Sequence, residues 1–222
     1  MSFLALLLLM ASAPDLERAR DKQDRATLEK MAADLKTAAE KQSSDANAHY
    51  RFAVAQSYAA EVAMEMKDKG GARNAAEIGI KAAERAVALK GDVAEHHRIL
   101  GTLCGQVIPA NVLAGLKYGR CALDEVNKAI ALDGKSAMSY LSRGVGNYYL
   151  PSSFGGGADL AIKDFQKALL LNPKLAEAHL WLGIAQRKLN RNEEARKSLG
   201  RALELNPNRA WAKEQLEKTP QK

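Results

Sequence analysis

The stretch AEAHLWLGIAQRKLNRNEEARKSLGRALELNP, residues 176–207, decides the fold. It reads as a hairpin of two helices, the first opened by AEAHLWLGIA and the second closed by LGRALELNP. Gly183 in the first helix lets the second approach closely, and Ala202 offers an equally slim surface in return, where bulky side chains would splay the pair. Leu182 and Leu199 supply apolar contacts on the same faces at helical spacing. Pro207 keeps the second helix from running on.

Working outward, both strings recur. The first returns as ANAHYRFAVA from Ala46, AEHHRILGTL from Ala94 and, more weakly, AMSYLSRGVG from Ala137. The second returns as KAAERAVALKG ending at Gly91, DEVNKAIALDG ending at Gly134 and FQKALLLNP ending at Pro173. Ala53, Gly101 and Gly144 take the place of Gly183, while Ala86, Ala129 and Ala168 take that of Ala202. Phe165 sits between Ala161 and Ala168 on the same face. Gly91 and Gly134 are expected to end their helices as left-handed residues, and Pro173 by blocking continuation. The spacing from small residue to Ala is 19 residues from Gly183 to Ala202, 24 from Gly144 to Ala168, 28 from Gly101 to Ala129 and 33 from Ala53 to Ala86. The hairpins therefore lengthen toward the N-terminus.

Residues 176–207 resemble a tetratricopeptide repeat: Leu182, Gly183, Ala195, Leu199, Ala202 and Pro207 fall where that family, with a period of about 34 residues, places them. The extended hairpins, with the connection QVIPANVLAGLKYGR in the second, are similar to the repeat domain of the regulator of microtubule dynamics family and to exported bacterial tetratricopeptide proteins. The resemblance implies an all-α, right-handed solenoid whose concave face binds a partner. It does not license a microtubule function, since unrelated activities share the scaffold. The domain reading is a signal-peptide-like segment at 1–13, a degenerate helix pair at 14–45 and four repeats at 46–207, the first three with insertions. Residues 208–222 form a capping helix.

In such a solenoid the first helices line the groove. The positions then expected to bind a partner are Tyr50, Val54 and Tyr58 in the first unit, and Arg98 in the second. Leu141, Val145, Tyr148 and Tyr149 follow in the third, and Ile184, Arg187 and Lys188 in the fourth. Tyrosine combines contact area with a polar tip at low entropy cost. The competing reading packs these tyrosines against inserted segments or the N-terminal helices. Chaperone-binding relatives use a carboxylate clamp, but Tyr50 and Val54 replace its Lys and Asn.

Catalytic and metal motifs do not emerge. His96 and His97 are adjacent and diverge by about 100° on a helix, the wrong geometry for a shared ion. His49, His97 and His179 recur at one repeat position and read as packing residues. Cys104 and Cys121 flank the long connection; they either come within disulfide reach or remain two buried thiols. The glycine run after Phe154 has no Lys-Ser or Lys-Thr behind it, so a phosphate loop is disfavoured.

Composition agrees with helix: of 222 residues 47% are hydrophobic and only 5% aromatic, with 6 Pro. Most of the net charge of +7 arises near the C-terminus, where ten basic and five acidic residues lie between 185 and 222. Glu193, Glu194, Glu204, Glu214 and Glu217 are interleaved with those cations, which favours a solvated face over nucleic-acid binding. At the other end FLALLLLMASA, residues 3–13, is apolar and ends in the small-x-small pattern of a cleavage site. Its helix would rise about 16 Å, too short for a bilayer core of about 30 Å. The alternative is an apolar N-terminus packed on the helices. Together these features predict an exported bacterial protein, periplasmic or secreted: a non-enzymatic scaffold without cofactor or metal that binds another protein or peptide. The runner-up is a small-ligand or lipid-binding component of an envelope transport system.

Overall fold

The computed structural model describes residues 12–110 and 113–221, so the expected leader lies, up to residue 11, outside the described residues. Eleven α-helices are described: α1 (Ala13–Asp21), α2 (Arg25–Lys41), α3 (Ala46–Glu65), α4 (Lys69–Leu89), α5 (Ala94–Val107), α6 (Ala114–Leu132), α7 (Ala137–Tyr149), α8 (Ala158–Leu171), α9 (Ala176–Lys188), α10 (Asn192–Leu205) and α11 (Ala210–Glu217). Two short 3-10 turns, Ile108–Ala110 and Ser152–Phe154, interrupt the second and third hairpins. The closest packing joins α3 to α4, α5 to α6, α7 to α8 and α9 to α10, and each hairpin then packs on the next. This is an all-α solenoid of helical hairpins. No described helix is long and apolar enough to cross a membrane.

The repeated sequence strings each do one structural job. A Cβ on Gly101 would stand 2.6 Å from Val126 Cγ2, and one on Gly183 would stand 2.6 Å from Leu199 Cγ. Those separations lie inside van der Waals contact, so only a residue without a side chain lets the paired helices close. Ala53, Ala86, Ala129 and Ala168 are fully buried, as are Phe165 and Leu199.

Helix starts follow the side chains at hand. Asp45, Asp68 and Ser136 accept bonds from the backbone N–H groups of Asn47, Gly71 and Ser139. Helix ends differ from the glycine expectation, for among the described residues only Gly155 and Gly157 are glycines with positive φ. Instead Lys90, Asp133, Asn172 and Asn206 turn extended, at φ −146°, −139°, −139° and −138°. Their N–H groups donate to Ala86, Ala129, Ala168 and Ala202, so the recurring alanine of each second helix also takes its last backbone bond. At Asp133, Asn172 and Asn206 the side chain then accepts an N–H two residues on, which starts the turn.

Histidines fasten one unit to the next. His49 and His179 direct Nε2 at the carbonyls of Ser43 and Pro173, each at 3.1 Å, and His96 and His97 reach Lys90 and Gly91 at 3.0 and 2.9 Å. Every one bridges six residues back across the inter-repeat turn. A carbonyl only accepts, so the ring nitrogen facing it is the donor. Cys104 and Cys121 are joined, with Cα atoms 6.0 Å apart, tying the end of α5 to the start of α6.

Candidate functional site: the inner face of the solenoid

Odd-numbered helices form the inner layer, with α3 against α5, α5 against α7 and α7 against α9. In the first half this surface is already engaged. Tyr50 donates its hydroxyl to Glu95 at 3.2 Å, and the buried Arg98 binds Glu95 at 2.7 Å. Burial opposes the Arg98 charge, yet Glu95 outweighs it and raises the guanidinium further above its ordinary range. Tyr58 carries the Arg20 guanidinium 4.9 Å from its ring centre, and burial pushes its hydroxyl up to about 12. Val54 packs partly buried against the same core. Helix α1 thus meets Tyr58 through Arg20, whereas Tyr50 is held by Glu95 and His96 of α5.

The second half offers an aromatic shelf. Tyr148 lies edge-on to Trp181 at 5.7 Å, Tyr149 to Trp181 at 6.0 Å and Trp181 to Trp211 at 5.1 Å. Tyr149 is 46% exposed, whereas Trp181 is 8% exposed and forms the buried base of the shelf. Lys188 stands 4.3 Å from the Tyr148 ring centre and donates to the Tyr148 carbonyl at 2.9 Å. Leu141 and Ile184 are buried beneath, and Val145 is half-buried. Arg187 turns away to fasten α11, donating to the Gln215 carbonyl at 2.9 Å and side chain at 2.5 Å. Of the three cations read from the sequence, Arg98 and Arg187 are therefore held by internal partners, and Lys188 alone sits exposed on the shelf.

Between the halves lies a cluster that sequence reasoning misses. Arg209, at the start of α11, is 1% exposed. It donates to Glu177 on α9 at 2.8 Å, to Glu65 on α3 at 3.0 Å and to Glu61 on α3 at 2.7 Å. Arg20 of α1 binds Asp21 at 2.7 Å and Glu177 at 3.4 Å. Asn206 donates to Asp21 at 2.7 Å, across 185 residues of chain. The two ends of the array meet here. Two guanidiniums face four carboxylates, and burial raises Glu61 to about 7 even though Arg20 and Arg209 pull it down. Nothing local marks these residues, because the partners are scattered over different hairpins.

No cluster of three or more His, Cys, Asp or Glu side chains among the described residues is placed to hold a metal ion. A pocket between α2 and α3, lined by Leu35, Gln42 and Arg51 among others, lies apart from the inner face.

Residues 176–209 match the tetratricopeptide repeat model. A thermophilic tetratricopeptide protein of Thermus thermophilus, TTC0263, superposes with a TM-score of 0.64 at 16% identity, covering 90% of this chain and 97% of that one. Residues 176–209 thus carry a tetratricopeptide repeat, and the chain as a whole shares the solenoid fold of that structure. Looser likenesses are MamA from Desulfovibrio magneticus RS-1 (TM-score 0.47, 16% identity, 88% of this chain and 97% of that one) and YrrB, a protein described as having an unusual peptide-binding site (0.45, 18%, 81% and 96%). No curated protein matches the chain.

Proposed function

We propose that the protein is a non-enzymatic interaction scaffold of the cell envelope that takes a peptide or helix of another protein on its inner face. The observation that carries this reading is the shelf of Tyr148, Tyr149, Trp181 and Trp211 beside Lys188. Aromatic groups of this kind supply affinity from buried area, and a cation orients an acidic or carbonyl-rich segment. Export is supported by the apolar run at residues 3–13 and by the Cys104–Cys121 bond, since disulfides persist in oxidising compartments.

The test is cross-linking and capture from envelope extracts with wild type, Tyr149→Ala and Lys188→Ala. The exposed positions leave the fold intact by circular dichroism, and both variants are expected to lose the partners that wild type retains. Recovery of the same proteins by folded variants overturns the shelf as binding surface. N-terminal sequencing of the mature chain checks export, for which a retained Met1 is the contrary result.

A further inference from the structure

The hydrophobic core is split in two. One cluster runs from Leu16 to Ala114 through α1–α6, and the other from Leu141 to Ala212 through α7–α11. The halves join through α6 with α7 and α5 with α7, where Thr102 donates to Ser142 at 3.0 Å. Opposite that joint, the closing contacts are polar: Arg209 to Glu61 and Glu65, Arg20 to Glu177 and Asn206 to Asp21. Ion pairs can be exchanged for water and other partners in a way that a fused apolar core cannot, and interfaces of this polar kind permit relative motion. Trp211 and Trp181 sit on the far jaw, the former 5.6 Å from the Arg209 guanidinium.

We propose that the Arg209 cluster is a clasp that holds the two halves of the solenoid closed, and that its release is the step which opens the inner face to a partner. The proposal rests on the inner face being the binding surface. In the closed form Arg98 is buried and Tyr58 partly buried beneath Arg20, while Tyr149 and Lys188 of the shelf are exposed. The first contact is made on that shelf, and full engagement follows when the jaws part about the α6–α7 joint.

The experiment compares the full-length wild type with Arg209→Met and Glu65→Gln. Small-angle X-ray scattering is expected to show the radius of gyration rising in Arg209→Met by about 2 Å over the roughly 17 Å of a compact chain this long. Far-ultraviolet circular dichroism stays unchanged, tryptophan emission shifts to the red and the dye ANS binds more strongly. Glu65→Gln, which keeps a hydrogen-bond acceptor for Arg209 and cannot ionise, is expected to keep the wild-type radius and emission. An unchanged radius and emission in a folded Arg209→Met overturns the clasp while leaving the shelf variants as a separate test of the binding surface. Should Arg209→Met fail to fold, hydrogen exchange on the wild type decides: amides of α1 and α11 are expected to exchange well before those of α3 and α9, and a single common rate refutes the proposal.

Discussion

At the residue scale, a few small side chains set how close the helices come. A Cβ on Gly183 would meet both Leu199 and the Ala195 carbonyl, the latter at 2.9 Å, whereas one on Gly200 would meet nothing within 4 Å. Gly183→Ala is therefore expected to destabilise by about 1–3 kcal/mol through overpacking. Gly200→Ala is expected to stabilise by about 0.5–1 kcal/mol, because alanine loses less backbone freedom in a helix. Urea unfolding of the two variants reads the opposite signs directly. Phe165→Ala, which removes a fully buried ring from between Ala161 and Ala168, should lose about 3–5 kcal/mol by the same measurement. These positions are legible in the sequence because one small-residue register repeats four times.

At the element scale, the long second hairpin is secured by a covalent bond. The Cys104–Cys121 bond closes a loop with a sequence separation of 17, which constrains the unfolded chain by about 3 kcal/mol in the chain-entropy model. Cys104→Ser with Cys121→Ser should lower Tm by roughly 2–4 °C for each kcal/mol lost in a chain this long. Calorimetry under reducing conditions should bring wild type down to the same value. Sequence reasoning places the two thiols at facing ends of a hairpin but leaves their bonding open, since chain reach alone does not orient Cβ vectors. It also assigns Gly91 and Gly134 a left-handed stop, where in the structure the extended residue one position earlier ends the helix. A glycine after a helix permits a left-handed turn without requiring it.

At the scale of the whole molecule, closure couples stability to pH. Burial raises Glu61 from an ordinary 4.5 to about 7, with Glu177 and Glu65 adding to the shift, and Glu65 is raised likewise. Glu177 moves the other way: burial would raise it, but Arg20 and Arg209 hold it below the usual carboxylate range. A carboxyl whose folded pKa is raised keeps a proton that the unfolded chain has given up. Its contribution is full below about 4.5 and lost as pH climbs toward 7. Glu177 titrates below that window. The clasp should therefore loosen between about pH 4.5 and pH 7 in buffers of constant ionic strength, and Trp211 emission should follow. Glu61→Gln, which cannot ionise, is expected to flatten that dependence; an unaltered profile would show that another group titrates there.

The helical hairpins, their order, their growing length and the faces on which they pair can all be read from the chain alone, because each follows from contacts between residues close in sequence. How far the array curves, and what its inner face becomes, emerges only once the hairpins are assembled. Arg98 is buried, Tyr58 lies partly buried against Arg20, Arg187 is fastened to α11, and Tyr148, Tyr149, Trp181 and Trp211 gather into a shelf. Small rotations between successive hairpins add up along a solenoid. Whether Arg209 meets Glu61 across 148 residues therefore depends on the sum of all of them and on no single local pattern.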